Sequence, residues 1–403
     1  MDLLEEAAPS YRLLFTIPGF TRLVASMLLG RIGGTMVQLI LVLFALDRYH
    51  SATVAGAVAF LAVAPGLVVS PIAGALLDRH GRARLVVLDY LVAAIALAAL
   101  AALALGGLLP VPLLLGIVAA QSLTNPLSNA GMRTLFPILV PRRLWERANA
   151  MDSTGYVVSS VFGPALAGVL VAAFGPEVAL LASGGVFAVA MLVATGIHDP
   201  TERTQQGRLL ADAWAGLVYV VRNPTLRGLA LAVSTNNVAW GLFFIALPVL
   251  LLERLHEGPA LVGQLFALLG IGGFFSVLFF GRIDTEGRER QLMAGSMLAM
   301  GAAILAILLF PTPLVIAAAM LFIGVANGPF DIVLFTLRQR RTDPAWFGRA
   351  FAVSMALNYA GNPVGSALAG LLIPHSLEAA LLVAVALELA AAAISRAAIP
   401  DQS

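Results

Sequence analysis

Ten side chains could do chemistry in this sequence, and all ten fall within long apolar runs. Arg31 and Gln38 stand seven residues apart, which places them on one face of a helix. Asn125 and Asn129 stand four apart, as do Asn327 and Asp331, a spacing that also shares a face. Asn236, Asn237 and Trp240 cluster in another run, and Glu388 stands alone in the last. A guanidinium, amides, an indole and two carboxyls can grip the polar groups of an organic molecule and carry a proton. They cannot supply a nucleophile with its base. All five histidines (His50, His80, His198, His256, His375) fall in loops or at helix ends, and no His-Glu-x-x-His run exists. The chain has no cysteine, which excludes thiol catalysis, disulfides and Cys-based metal sites. No catalytic residue, metal or cofactor is expected.

A second group of residues is charged. LLDRHGRARL (76–85) has a near-copy in RIDTEGRERQ (282–291), although only 11% of the chain is charged. Asp78, Gly81, Arg82 and Arg84 correspond to Asp284, Gly287, Arg288 and Arg290, 206 residues later. Glycine permits a turn that a side chain would strain, and arginines anchor a turn at an anionic leaflet. Asp78 ends one helix and could accept bonds from a helix N-terminus, where the dipole is positive.

The elements that must position these groups are membrane spans. About 20 apolar residues cross the hydrocarbon, and twelve such runs occur: 20–46, 52–77, 85–109, 112–132, 150–174, 178–197, 227–252, 260–281, 291–310, 314–337, 349–373 and 377–396. They are called spans 1 to 12 below. Continuous apolarity points to helices, since barrel strands would alternate. No cleavable signal peptide is evident in MDLLEEAAPS, which is acidic and lacks a basic n-region. The basic residues are 24 arginines and no lysine. With the N-terminus inside, 21 of them fall on the inner side, two (Arg48, Arg254) outside, and Arg31 within span 1. That bias predicts both termini cytoplasmic and explains the basic balance without nucleic acid.

The repeat runs through the chain. At an offset of 202, Asn125 falls on Asn327, Arg147-Ala148 on Arg349-Ala350, Gly163 on Gly365, and Ala167-Gly168 on Ala369-Gly370. Each half therefore reads as six helices in the same orientation. The expected organisation is a six-helix bundle over 1–197, a cytoplasmic linker over 198–226 and a second bundle over 227–403. The linker holds HDPTERTQQGR and then LLADAWAGLVYVVR, which suggests a short helix on the membrane surface. The outer loops (DRYHS, GPE, LERLHEGP, PTP, PHS) are too short for any external domain.

Taken together, these features resemble the major facilitator superfamily, over nearly the whole chain. GALLDRHGRAR (74–84) resembles the signature between its helices 2 and 3, Gly-x-Leu-x-Asp-Arg-x-Gly-Arg, through Gly74, Asp78, Arg79, Gly81 and Arg82. In the second copy Thr285 and Glu286 replace Arg79 and His80. Span 5 reads ANAMDSTGYVVSSVFGPALAG and resembles the glycine-rich helix of drug:proton antiporters. Its key positions include Ser159, Gly163, Pro164 and Gly168, small residues that allow close packing and a proline that permits a bend. The arginine such exporters carry in span 4 is absent. RTLFPILVPRRLWERANAM looks most like the macrolide-efflux and siderophore-export branch.

The resemblance implies an all-α fold of two pseudo-symmetric bundles that rock around a cavity lined by spans 1, 4, 7 and 10. It implies a monomer in the cell (plasma or inner) membrane that exports small amphipathic organic molecules, coupled to protons. A lipid or lysophospholipid flippase, or a proton-coupled importer, is the alternative within that fold. The partners expected are a small-molecule substrate, protons and the bilayer, not nucleic acid. Asp78 would latch the cytoplasmic gate against the start of span 11. Arg31 lies about 16 Å into span 1, at a cost of roughly 2.5–3.5 kcal/mol on insertion scales, so it needs a partner. Asp331, across the cavity, is the partner expected from the sequence, coupled to Arg31 directly or through water or substrate. Glu388 is a second candidate proton carrier, on a span that is peripheral in this fold.

Overall fold

The computed structural model describes residues 11–197, 199, 209–282, 285–343 and 346–400. Twelve spans form an all-helical bundle pair. Span 1 is Phe20–Tyr49, span 3 Arg82–Leu105, span 5 Trp145–Phe174 and span 6 Pro176–Ala194. Span 7 is Pro224–Val249, continued by a π-helical turn Leu250–Arg254. Span 8 is Pro259–Phe280, span 9 Glu289–Leu309, span 10 Pro313–Arg340, span 11 Phe347–Leu372 and span 12 Leu377–Ala398. Large apolar side chains such as Val68, Phe279 and Leu314 point outward, as a hydrocarbon solvent permits and water does not.

Two spans depart from the continuous helices expected. Span 2 is two pieces, Ala52–Leu61 and Ala64–His80, and span 4 is Val111–Ser122 and Asn125–Leu139. Each second piece has a proline in its first turn, Pro65 and Pro126. Proline lacks the N–H that would bond the carbonyl four residues back. Span 5 also differs: it begins at Trp145, after a 3-10 turn Arg142–Leu144, five residues before the expected start.

The turns at the Arg-rich end follow the glycine logic. Gly81 sits at φ 93° and Gly287 at φ 73°, where a side chain would be strained. The other end is neutralised: Arg48 pairs with Glu177 at 3.6 Å, and Arg254 pairs with Glu378. A helix, Leu209–Arg222, follows in the linker and packs on the second half. Tyr219 stacks on Trp346 at 5.0 Å, the Tyr219 hydroxyl accepts from Asp343 N at 3.0 Å, and Asn223 Nδ2 donates to Arg341 O at 2.9 Å.

The two bundles interlock at the Arg-poor end. Thr53 Oγ1 donates to Gly370 O at 2.7 Å. Gly56 abuts Ser366 and Gly370 of span 11, and Gly168 abuts Pro259 and Gly263 of span 8. Missing side chains let these main chains touch. A mid-depth contact joins Gly270 to Ser160 and Val161. Toward the Arg-rich end the facing side chains become accessible: Tyr156 is 41% exposed and Tyr359 54%.

Candidate functional site

Two arginines of the first half, Arg31 and Arg133, converge on span 5. Arg31 Nη2 lies 2.5 Å from Asp152 Oδ1, and Nη1 donates to Asp152 O at 2.8 Å. Its guanidinium also lies 3.6 Å above the Tyr156 ring, a cation–π contact. The direct partner of Arg31 is therefore Asp152 of its own half, where the sequence offered Asp331, directly or through water or substrate. The reason is the earlier start of span 5, which puts Asp152 two turns inside the helix rather than at its mouth. Arg133 of span 4 shares both groups, 5.0 Å from the Tyr156 ring and 3.9 Å from Asp152 Oδ2. At 3.9 Å the latter is an ion pair without a hydrogen bond, and the Arg133 side chain stays 50% exposed. A pocket of about 370 Å³ opens here, lined by Arg133, Phe136, Trp145, Ala148, Asn149 and Asp152.

The second half builds the corresponding place with different chemistry. The repeat relates Arg31, Asp152 and Tyr156 to Asn237, Ser354 and Asn358. Asn237 Nδ2 donates to Asn358 O at 3.0 Å. The cation comes from span 10 as Arg338, which is 0% exposed. It lies 2.8 Å from the Met355 sulfur and 5.1 and 5.8 Å from the rings of Phe351 and Phe335. Asn358, with its amide oriented to satisfy both ends, accepts from Arg338 Nη2 at 2.7 Å and donates to Ser354 O at 3.1 Å. No carboxylate pairs with Arg338 among the described residues.

The i, i+4 pairs close on themselves. Asn129 Nδ2 donates to Asn125 Oδ1 at 2.7 Å, and Asn327 Nδ2 to Asp331 Oδ2 at 3.1 Å. Tyr359 of span 11 joins the halves electrostatically: it interacts with Asp331 and Arg338 on its own side and with Tyr156 and Arg133 opposite. Tyr156 and Arg133 of the first half therefore stand near Tyr359 of the second, with Asp331 beside it, while Arg338 and Asn358 are buried behind.

The remaining expected residues fall elsewhere. Gln38 is exposed on span 1. Trp240 packs against Phe243 and Phe266 at 5.8 and 6.4 Å. Asn236 is buried with its Oδ1 unpaired. Glu388 is buried against Gly301 of span 9, with Oε2 unpaired, away from this space. In span 5, Ser159 O accepts from Thr35 Oγ1 at 2.9 Å, and a Cβ on Gly163 would overlap Thr35. Pro164 and Gly168 face Gly263 of span 8.

Among the gate residues, Asp284 and the Asp78 side chain lie outside the described residues. The carboxylate found at a helix N-terminus here is that of Asp199, whose Oδ2 accepts from Arg82 N at 2.6 Å and Ala83 N at 3.4 Å. Gly74 has open space around it; Arg79, Arg84 and Arg288 are exposed. Arg290 Nη1 caps span 12, donating to Arg396 O at 3.2 Å and Ile399 O at 3.1 Å.

Two homologous helical bundles that share a polar, aromatic space at mid-depth define a membrane transporter. The sequence pattern of the Major Facilitator Superfamily matches residues 23–366 and 229–402, and the chain belongs to that family. It is 38% identical over 383 residues to an uncharacterized MFS-type transporter, y4rN, of Sinorhizobium fredii, covering 93% of each chain. It is 26% identical to the multidrug efflux pump Tap of Mycolicibacterium fortuitum, over 81% of this chain and 82% of that one. The enterobactin exporter EntS of Citrobacter koseri is 27% identical over 79% and 75%. The crystal structure of a point mutant of the nucleoside transporter NupG superposes with a TM-score of 0.75 at 12% identity, covering 95% of this chain and all of that one.

Proposed function

We propose that this transporter exports small amphipathic organic molecules, drug-like or siderophore-like, by alternating access. The carrying observation is the space shared by Tyr156, Arg133, Asp331 and Tyr359, closed at the Arg-poor end and accessible toward the Arg-rich end. Aromatic faces with a few charged groups suit organic molecules that are part apolar and part polar. The multidrug and siderophore exporters among its relatives support the same reading. The Arg-rich end is then cytoplasmic, both termini are on the cytoplasmic side of the cell membrane, and this conformation faces inward. The chain acts as a monomer of two bundles, over 1–197 and 227–403, joined by the linker.

Asp331 is the proton carrier in this reading. It is the one acid on a cavity-lining span of the second half that faces Tyr359. A proton taken up there removes a charge from the shared space and changes which conformer is favoured. The test is substrate flux in proteoliposomes, with and without a pH gradient. Export driven by an inward proton gradient, with its pH dependence flattened in Asp331→Asn, is expected. Uptake along the same gradient, or movement of a labelled lysophospholipid instead, would overturn export in favour of import or flipping.

A further inference from the structure

The breaks in spans 2 and 4 lie side by side. Pro126 has no N–H to give Ser122 O, and the Gly66 backbone lies against that same carbonyl, with Pro126 Cδ 3.5 Å from a Cβ built there. Beyond the breaks, Ala64–His80 and Asn125–Leu139 pack on each other through a hydrophobic cluster of their own. Ala73, Leu77 and Leu127 form it, with Leu76, Leu85 and Ala130 around them. This cluster is separate from the one that runs through the rest of the protein. The two pieces thus pack as a pair through this small cluster, while Met132, Leu135 and Phe136 of the second piece also reach the main core.

The second half treats the same place differently. Span 10 also carries a proline, Pro329, yet runs unbroken from Pro313 to Arg340. The carbonyl that Pro329 frees is that of Val325, and Ser276 Oγ of span 8 donates to it at 2.5 Å. A hydroxyl from the neighbouring span replaces the lost bond and ties spans 8 and 10 together.

At the first half's break stands a buried acid. Asp89 of span 3 is 2% exposed. Its Oδ1 accepts from the Thr124 hydroxyl at 2.6 Å. Thr124 is one of the two residues between the pieces of span 4. By the repeat, Asp89 and Thr124 correspond to Gly295 and Ala326. The acid, its hydroxyl partner and the break therefore occur together in one half and are all absent from the other.

We propose that the Arg-rich-end pieces of spans 2 and 4 move as one gate leaf, hinged at Ala62–Val63 and Leu123–Thr124, and that Asp89 is the positioning residue that sets its angle through Thr124. The second half, tied by Ser276, is the fixed side against which the leaf closes. The assignment rests on the alternating-access reading but not on any substrate or on proton coupling. The 17-residue piece of span 2 is about 25 Å long, so a change of about 10° at the break moves its far end by about 4 Å.

The chain has no native cysteine, so spin labels can be placed without background. Label pairs at His80→Cys with Gln339→Cys, and at Asp47→Cys with His375→Cys, report the Arg-rich and Arg-poor ends of the full chain in liposomes without substrate. Thr124→Val, which keeps the shape and removes the donor, should broaden or displace the His80–Gln339 distance by several Å. The Asp47–His375 distance should stay at its wild-type value. Asp89→Ala should act like Thr124→Val, and Asp89→Asn, which keeps an acceptor, should restore the wild-type distribution. An unchanged His80–Gln339 distance in Thr124→Val overturns the hinge. So does a change at both ends together, which would mean that the bundles tilt as rigid bodies. Neither result bears on whether the protein exports, which is read from flux alone.

Discussion

Gly56→Val tests the closed end most directly. A Cβ on Gly56 would stand 2.5 Å from Ser366 O, 2.7 Å from Gly370 N and 2.8 Å from Gly370 Cα. Carbon contacts are comfortable at about 3.5–4.0 Å, so spans 2 and 11 must part by about 1 Å. All three neighbours are main-chain atoms, and no rotamer change makes room. Overpacking of this kind costs about 1–3 kcal/mol. At about 1.4 kcal/mol per factor of ten, that is roughly a 5- to 150-fold penalty on the conformer closed at this end. Conformers of a two-state protein differ by only a few kcal/mol, so the population should visibly shift. Valine need not unfold the protein, because the strain is relieved when the bundles separate. Spin labels at Asp47→Cys and His375→Cys should show a new, longer distance in Gly56→Val. A distribution identical to that of the otherwise wild-type pair, in a folded and inserted protein, would refute the argument that glycine contacts hold this end shut.

Other outcomes follow from the same geometry. Asp152→Asn should lower the thermal midpoint by leaving the part-buried Arg31 without its counter-charge, at a cost of about 3 kcal/mol; Arg31→Gln with Asp152→Asn should recover much of that loss in the same melt. Arg338→Met should leave the midpoint unchanged or raised, since buried charges are costly to desolvate, while transport falls by about tenfold or more as Tyr359 loses a charged neighbour (RT ln 10 is about 1.4 kcal/mol). Asp78→Asn should sharply cut flux while leaving membrane insertion intact, and Asp284→Asn, in the degenerate copy, should cut it less; equal wild-type flux from both would make the two turns simple anchors.

Much of the fold is written locally. Twelve apolar runs, a repeat offset of 202 to 206 residues and a one-sided arginine distribution suffice for two parallel bundles, because span length and helicity are imposed by the bilayer rather than by partners. The site was harder to read. Arg31 announces that it needs a counter-charge, but its spacing to every acid is non-local, so the choice between Asp152 and Asp331 depends on how spans 1 and 5 cross. Trp145 to Asn149 reads as a polar approach to the membrane; it is the first turn of span 5, with Trp145, Ala148 and Asn149 lining the pocket. Asp89 lies in LVVLDYLVAA, where nothing in the run itself shows what it bonds. Its meaning comes from Thr124, which only the packing of spans 3 and 4 brings near. Pro65 and Pro126 look no different in sequence from Pro71 or Pro329, yet only the first two coincide with breaks. For Pro329 a neighbour takes up the freed carbonyl, Ser276 bonding Val325 O, and that partner lies on another span.

The linker has a mechanical corollary. One end is held at Asp199, on the start of span 3, and the other at Tyr219 and Asn223, on spans 10 and 11. From Asp199 to Leu209 there are ten peptide steps, which reach at most about 36 Å when fully drawn out. The stretch therefore works as a leash between the halves. It sets a maximum separation at one end of the protein, while backbone contact at Gly56 and Gly168 sets a minimum at the other. The travel of the transporter is bounded by a string at the Arg-rich end and by a stop at the Arg-poor end. Cutting residues from the leash should restrict only the inward-open extreme, and adding them should cost it almost nothing, since loop-closure entropy grows slowly with length.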